Sequence, residues 1–565
     1  MNGIVLMLVA AVVLACGYLL YGRWLSNKWG VDAKALTPAR RMEDGNSFSP
    51  ASAFTVFSHQ FSSICGAGPV TGTIVAMAFG WLPVVLWVLI GGIFFGAVHD
   101  FGALYASMKN NGKSLAQLIE KYIGKTGRRL FLLFSWLFCI IVIAAFTSMV
   151  CGTFKYTPAE AGGIDFAKSY AAGCAGTISI LFTFVAIAFG WAQRKFNLDG
   201  AKEFVVAVVA IVLMFAVGMQ FPLYLDLNQW IAVVMVYLVF AGAMPIQTLK
   251  QPRDYLTTIM MVVMIVCAVL GIVVLGVNGQ ATITAPMFTG FSTKSGMMFP
   301  VLFVSVACGA LSGFHSLVSS STSSKQVSNE TDAVKVGYGA MVLESFVGVL
   351  AIIIAGIMFS DMNTAGTGAL NNGVASTPFQ IFAAGIARTS FSEFFAKSND
   401  ALAIEDKSGA MKVLGNPWFA TLVTLLPGLA LTFGGYLAIW PLFGASNQLL
   451  GGMTMITLAV FCKCTGRKGA MLYVPVAFLL CCTFTSLVQS IMGCVTALSA
   501  GTAASVFNSV LQLVFAILLV VLGLIVAVNC LRELFAKESG SLPDEEPEWS
   551  ELGRKNCGVE APETK

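Results

Sequence analysis

Apolar stretches long enough to cross a bilayer recur along the whole sequence, and no other property limits its fold so severely. A helix rises about 1.5 Å per residue, so about 20 apolar residues traverse the hydrocarbon core. Fifteen candidate spans are legible, at roughly 3–22, 54–79, 82–108, 129–152, 171–190, 203–222, 229–248, 255–276, 298–322, 336–359, 379–396, 417–436, 440–461, 470–492 and 505–530. With 57% hydrophobic and only 11% charged residues, against about 25% charge in soluble domains, a soluble core is excluded. The reading is an all-α polytopic membrane protein with about 15 transmembrane helices.

The span Phe54–Gly80 is interrupted by Gly66-Ala67-Gly68-Pro69. Pro69 lacks an N–H and clashes with the preceding turn, and the glycines weaken the helix further. Two half-helices meeting near mid-membrane are expected, with the N-terminal, positive end of the second pointing into the protein. A second interrupted span, 298–322, breaks at Ser312-Gly313-Phe314-His315-Ser316 and leads into the Ser-rich run Ser319–Ser324.

Numbering the loops alternately from an outside N-terminus puts 29 of the 33 Lys and Arg residues on the inner side. Lys155, Lys168 and Lys294 fall outside and Arg388 falls within span 379–396. Basic residues stay cytoplasmic, so the N-terminus is expected outside and the C-terminus inside. The net charge of +5 is explained by this topology, and nucleic acid is not implied. Leu14-Ala15-Cys16 faintly resembles a lipoprotein cleavage box, but Met1-Asn2-Gly3 carries no Lys or Arg, so residues 3–22 read as a retained first helix. Most of the 14 cysteines lie inside apolar runs without zinc spacing or a disulfide framework. They read as small core residues, and no metal or other cofactor is expected.

Each interrupted span opens a run of five, and the two runs begin on opposite sides. Two inverted five-helix units with discontinuous helices are the signature of a secondary transporter. The expected organisation is 1–53, a first helix and cytoplasmic loop; 54–222, the first repeat; 223–297, two linking spans; 298–461, the second repeat; 462–535, two C-terminal spans; and 536–565, a disordered cytoplasmic tail. The stretch Gly112–Gly127 reads as an amphipathic cytoplasmic segment.

Intramembrane ionisable residues are costly and are functional candidates by default. They are few: His59, His99, Asp100, His315, Glu344 and Arg388. Burial penalises a charged carboxylate, so Asp100 and Glu344 are candidate proton carriers, set against a purely structural role. His99 and Asp100 are neighbours on a helix, about 100° apart, and are not expected to face one small site together. Arg388 with Thr389 and Ser390 is a candidate fixed positive charge in place of a coupling cation. The breaks, Gly66, Ala67 and Gly68 on one side and Ser312, Gly313 and His315 on the other, with His59, are the candidate substrate-binding residues, their half-helix N–H groups suiting a carboxylate. Asn447 and Gln448, in an interruption of span 440–461, read first as packing residues, with the cap of a break as the alternative. A divalent metal-ion transporter using the intramembrane His, Asp and Glu residues is the competing reading, and a membrane-embedded enzyme finds no nucleophile set.

At these residues the sequence resembles the carbon starvation protein A (CstA) family of peptide and pyruvate transporters. The matching stretches are HQFSSICGAGPVTG at 59–72, GAVHD at 96–100 with GKSL at 112–115, PRDYL at 252–256 and SGFHSLVSS at 312–320. Lys325-Gln326, GYGAM at 337–341 with Glu344, and WPLFGASNQLL at 440–450 also match. The resemblance implies a multi-pass symporter of the cytoplasmic membrane, related to the amino acid–polyamine–organocation superfamily. It implies a LeuT-like core and import of peptides or a small carboxylate with a coupling cation under carbon or nutrient starvation. Two departures stand out: Ser58 precedes His59 where relatives often carry a second His, and Thr421–Gly435 lacks the Thr/Asp-rich character usual before the WPLFG stretch.

Overall fold

A computed structural model describes residues 1–45, 47–159, 162–196, 198, 200–243, 246–293, 296–358, 428–433, 436–501 and 506–559. The helices up to the second interrupted span are α1 (Gly3–Cys16), α2 (Arg23–Trp29), α3 (Pro38–Arg41), α4 (Ala53–Ile64), α5 (Gly68–Ala76), α6 (Trp81–Gly91), α7 (Ala97–Met108), α8 (Leu115–Tyr122), α9 (Lys125–Phe154), α10 (Phe166–Phe196), α11 (Gly200–Gln220), α12 (Leu227–Ala243) and α13 (Ile246–Val277). Then come α14 (Met298–Ser305), α15 (Ala307–Ala310), α16 (Gly313–Ser321), α17 (Ala340–Ile357), α18 (Tyr436–Cys464), α19 (Tyr473–Ser499), α20 (Val506–Ala536) and α21 (Glu551–Cys557). Among the described residues ten helices are long and apolar enough to cross a membrane, eleven if the bent pair Ala53–Ile64 and Gly68–Phe79 is one span. The expected span 379–396, with Arg388, Thr389 and Ser390, lies outside the described residues, as does most of 417–436.

The first interrupted span breaks where Gly and Pro predict. Cys65 leaves helical geometry at φ −79°, ψ 75°, Pro69 sits in the first turn of α5, and the two halves meet at 44°. The second is cut twice, at Val306 (φ −88°, ψ 51°) and at Leu311 (φ −163°, ψ 129°). Only the second cut adjoins the expected Ser312–Ser316. The first has no Gly or Pro at it. α18 is continuous, so Asn447 and Gln448 do not interrupt their own helix. They serve the neighbouring broken one: Asn447 Oδ1 accepts from Phe314 N at 3.0 Å, and Gln448 Nε2 donates to Phe303 O at 2.5 Å.

Burial sorts the helices. The Ile439–Cys464 helix is 100% buried over its apolar window and Val334–Ile357 89%, whereas Gly200–Gln220 is 28% and Val506–Ala536 39% buried. α17 and α18 therefore form the centre, against α5, α7 and α14–α16, with α11 and α20 at the periphery. Of three π turns among the described residues, Gly17–Gly22 follows α1, Gly92–Gly96 precedes α7 and Val334–Gly339 precedes α17; such insertions are frequent at functional sites.

The loops fall into two bonded sets. On one end Gly3 N bonds Ala281 O (2.7 Å), Trp81 N bonds Pro286 O (3.2 Å) and Tyr156 N bonds Leu225 O (3.2 Å). On the other, Ala51 N bonds Gln326 O (2.9 Å), Lys109 pairs with Glu330 (2.8 Å) and Arg467 Nε donates to Trp29 O (3.0 Å). These sets are the two groups into which alternation along the sequence divides the loops.

The tail from 537 to 559 departs from the expected disorder. Asp544 takes two hydrogen bonds from Arg467 (2.8 and 2.7 Å), Glu545 pairs with Lys113 (2.6 Å), and Ser550 N bonds Arg41 O (2.9 Å) before α21 seats on α3. A run of acids that reads as a solvated tail finds basic loops of its own chain, and charge-assisted bonds order it.

Candidate functional site

The centre of the protein holds a buried chain of ionisable side chains. Asp100 stands in the first turn of α7, just past the π turn. Its Oδ1 lies 2.7 Å from His99 Nδ1 and its Oδ2 lies 2.9 Å from His315 Nδ1. The other ring nitrogen of His315, Nε2, is 3.5 Å from Glu344 Oε2 on α17. All four residues are 0% exposed. Among the described residues neither oxygen of Glu344 has a hydrogen-bond partner, and neither does Nε2 of His99 or His315. Among the described residues no Lys or Arg pairs with Asp100 or Glu344.

Local chemistry explains why these groups meet. The turn Val334–Gly339 lies against α7 with almost no gap: a Cβ on Gly337 would sit 2.7 Å from Phe101 Cα and 3.2 Å from Asp100 C. That contact draws the α17 segment carrying Glu344 onto α7. α16 starts at the second break, with His315 in its first turn. Asn447 satisfies that end, accepting from Phe314 N and exchanging bonds with Ser312 Oγ at 2.9–3.2 Å. Two expectations change. His99 and Asp100 do share one site, because the imidazole folds back onto the adjacent carboxylate. And one N–H at the start of α16, expected to be free for a substrate, is already engaged by Asn447.

The first break is different. Gly66 has nothing within 4 Å of where a Cβ would be, whereas a Cβ on Gly68 would lie 2.3 Å from Cys308 Sγ. Among the described residues nothing crowds Gly66; Gly68 is small because α5 packs on α15. Ala67 is the cap residue between them and is 8% exposed. Pro69 supplies no N–H, which leaves Gly68 and Val70 as first-turn donors of α5.

His59 is separate from the central chain. Its Nδ1 lies 2.8 Å from Asp254 Oδ2 on α13, and Arg253 Nη2 lies 3.2 Å from the other oxygen of Asp254. Asp254 was not singled out from the sequence; an acid two residues after Pro252, at the head of an apolar run, was the available signal. Beside His59, Gln60 bonds Ser319 Oγ (2.8 Å) and Ser323 Oγ (2.6 Å), which ties α4 to α16. Among the described residues no group of three or more His, Cys, Asp or Glu is placed to hold a metal ion.

Comparison with known proteins shows the family. The profile of the carbon starvation protein CstA family matches residues 2–381 and 379–486. A "Peptide transporter CstA" from Campylobacter jejuni is 29% identical over 87% of this chain and 80% of its own length. One from Bacillus subtilis is 33% identical over 63% of this chain and 58% of its own. A "Pyruvate/proton symporter BtsT" from Escherichia coli is 33% identical over 63% of this chain and 50% of its own. Among solved structures, a manganese transporter from Eremococcus coleocola covers 88% of this chain and 99% of its own at 13% identity and a TM-score of 0.43, a likeness too low to carry a functional argument. The chain belongs to the carbon starvation protein CstA family.

Proposed function

We propose that this protein is a secondary active transporter of the cytoplasmic (inner) membrane that imports short peptides or a small carboxylate such as pyruvate, driven by protons. The observation that carries the reading is the buried Asp100–His315–Glu344 chain. With both carboxylates ionised the site would bury two negative charges in a region where an uncompensated charge costs several kcal/mol. Each proton taken up removes one of them. In the tautomer in which His315 Nδ1 donates to Asp100, Nε2 is an acceptor 3.5 Å from Glu344 Oε2, placed to receive a proton from Glu344 as the two close.

The names of the relatives, peptide transporter and pyruvate/proton symporter, agree in class with this reading. A carboxylate, common to these substrates, suits the N–H groups of Gly68 and Val70 at the head of α5, reached past Gly66. In this reading 54–222 and 298–461 are the inverted five-helix repeats of a LeuT-like core, the N-terminus is outside and the C-terminus cytoplasmic. Labelling of a cysteine at position 113 from outside the cell would reverse that orientation. Uptake into proteoliposomes, comparing pyruvate with dipeptides under imposed proton or sodium gradients, tests the function. Accumulation driven by the proton gradient is expected, and accumulation that follows sodium alone would overturn the coupling.

A further inference from the structure

The chain has three histidines, and all three are held in the same way. Each places Nδ1 against an aspartate buried in the protein, and each leaves Nε2 buried without a hydrogen-bond partner among the described residues. Two belong to the central chain. The third, His59, lies on α4 between the break and the end of the molecule that carries Lys113. It is 9% exposed, and Asp254 and Arg253 beside it are 4% and 2% exposed. An aspartate that accepts from Nδ1 fixes the tautomer and aims Nε2 as the proton-accepting atom.

We propose that His59 and Asp254 form a second proton station, which receives the proton leaving the Asp100–His315–Glu344 chain and passes it to the cytoplasmic side. Asp254 is the positioning residue. The inference rests on the reading of the central chain as the coupling site. The step is a proton transfer: an N–H bond forms at His59 Nε2 as the donor's N–H or O–H bond breaks, and the same proton is later given to water.

Among the side chains described, the ionisable groups on the elements packed against α4 are engaged as follows. On α13, Arg253 bonds Asp254 and the Tyr255 ring stacks on Phe189. On α16 and α17, His315 and Glu344 belong to the central chain. Lys325 lies over the Phe48 ring, Lys335 bonds Asp332 at 2.7 Å and the Tyr338 hydroxyl donates to Ile93 O. Gln60, next to His59, bonds two serines of the stretch that follows His315, so α4 and α16 are held together between the two stations.

The test separates substrate exchange from proton-driven accumulation in proteoliposomes of the full chain. Asp254→Asn is expected to keep counterflow exchange within about twofold of wild type. It should lose tenfold or more of uphill uptake under a proton gradient, and the dependence of uptake on the pH of the Lys113 side should flatten. Asp254→Glu should recover part of the loss. If Asp254→Asn fails to assemble, Asp254→Ser, which is smaller and also removes the carboxylate, carries the same test. Equal loss in both assays, or proton-driven uptake left intact, overturns the proposal. Glu344→Gln measured alongside shows whether the central reading has failed instead: intact proton-driven uptake in that variant removes the coupling site itself.

Discussion

Gly337→Ala puts the contact that assembles the site under direct strain. The new Cβ would lie 2.7 Å from Phe101 Cα and 2.9 Å from Phe101 N. Ordinary contact begins near 3.4 Å, so α7 and the turn before α17 must separate by about 0.7 Å. Both partners are backbone in a region buried on all sides, where no flexible side chain can give way. Overpacking of this kind costs about 1–3 kcal/mol, and the backbone contact places Gly337 at the upper end. The gain of about 1 kcal/mol that alanine brings to a helix does not offset it. Gly339, two residues on in the same turn, is the internal control, because its Cβ would meet Tyr18 at 3.4 Å. Gly339→Ala should be neutral or mildly stabilising. Thermal unfolding of the purified protein should show Gly337→Ala melting several degrees below Gly339→Ala. Its uptake should also fall, since widening the gap moves Asp100 and His315 away from Glu344. Equal melting temperatures and equal uptake for the two variants would refute the argument.

Three further outcomes follow from particular contacts. Gly68→Ala, which drives a methyl into Cys308, should lower stability, whereas Gly66→Ala should fold normally and reduce substrate affinity; melting curves with uptake KM separate the two, and unchanged KM in Gly66→Ala removes Gly66 from the site. Asn447→Ala strips the cap from α16 and should cost about 1 kcal/mol, read as a fall in melting temperature; an unchanged melting temperature would remove Asn447 as the cap. Asp544→Asn breaks the paired bonds from Arg467 at the tail and should cost up to about 1 kcal/mol because both groups are partly exposed. The difference from wild type should shrink in 1 M salt, where screening acts over about 3 Å, and a salt-independent difference would argue against an electrostatic tether.

Much of the fold was legible because the bilayer imposes a length. Apolar runs of about 20 residues, and the Gly-Ala-Gly-Pro interruption at 66–69, need no tertiary information to be read. The cut at Val306 left no local mark. It depends on Gln448 reaching Phe303 from another helix, and such compensation is invisible along the chain. The site was legible residue by residue but not as an assembly. His99, Asp100, His315 and Glu344 each stood out as costly in a membrane, yet the distance between Asp100 and His315 in sequence hides their contact. Asp254 was missed because Pro252 made its surroundings look like a loop end, although helix α13 runs through it. The tail was misread for a related reason: its acids look solvated until the basic loops that receive them are folded into place.

The central claim is that Glu344, at the end of the Asp100–His315 chain, carries the proton that drives uptake. The direct measurement is proton entry, read by a pH-sensitive dye inside proteoliposomes, on addition of pyruvate or a dipeptide outside. Wild-type protein should acidify the lumen as substrate enters. Glu344→Gln, which keeps shape but cannot release a proton, should abolish substrate-linked acidification and uphill uptake together while still assembling in the membrane. Substrate-linked proton entry at the wild-type rate in Glu344→Gln would contradict the account.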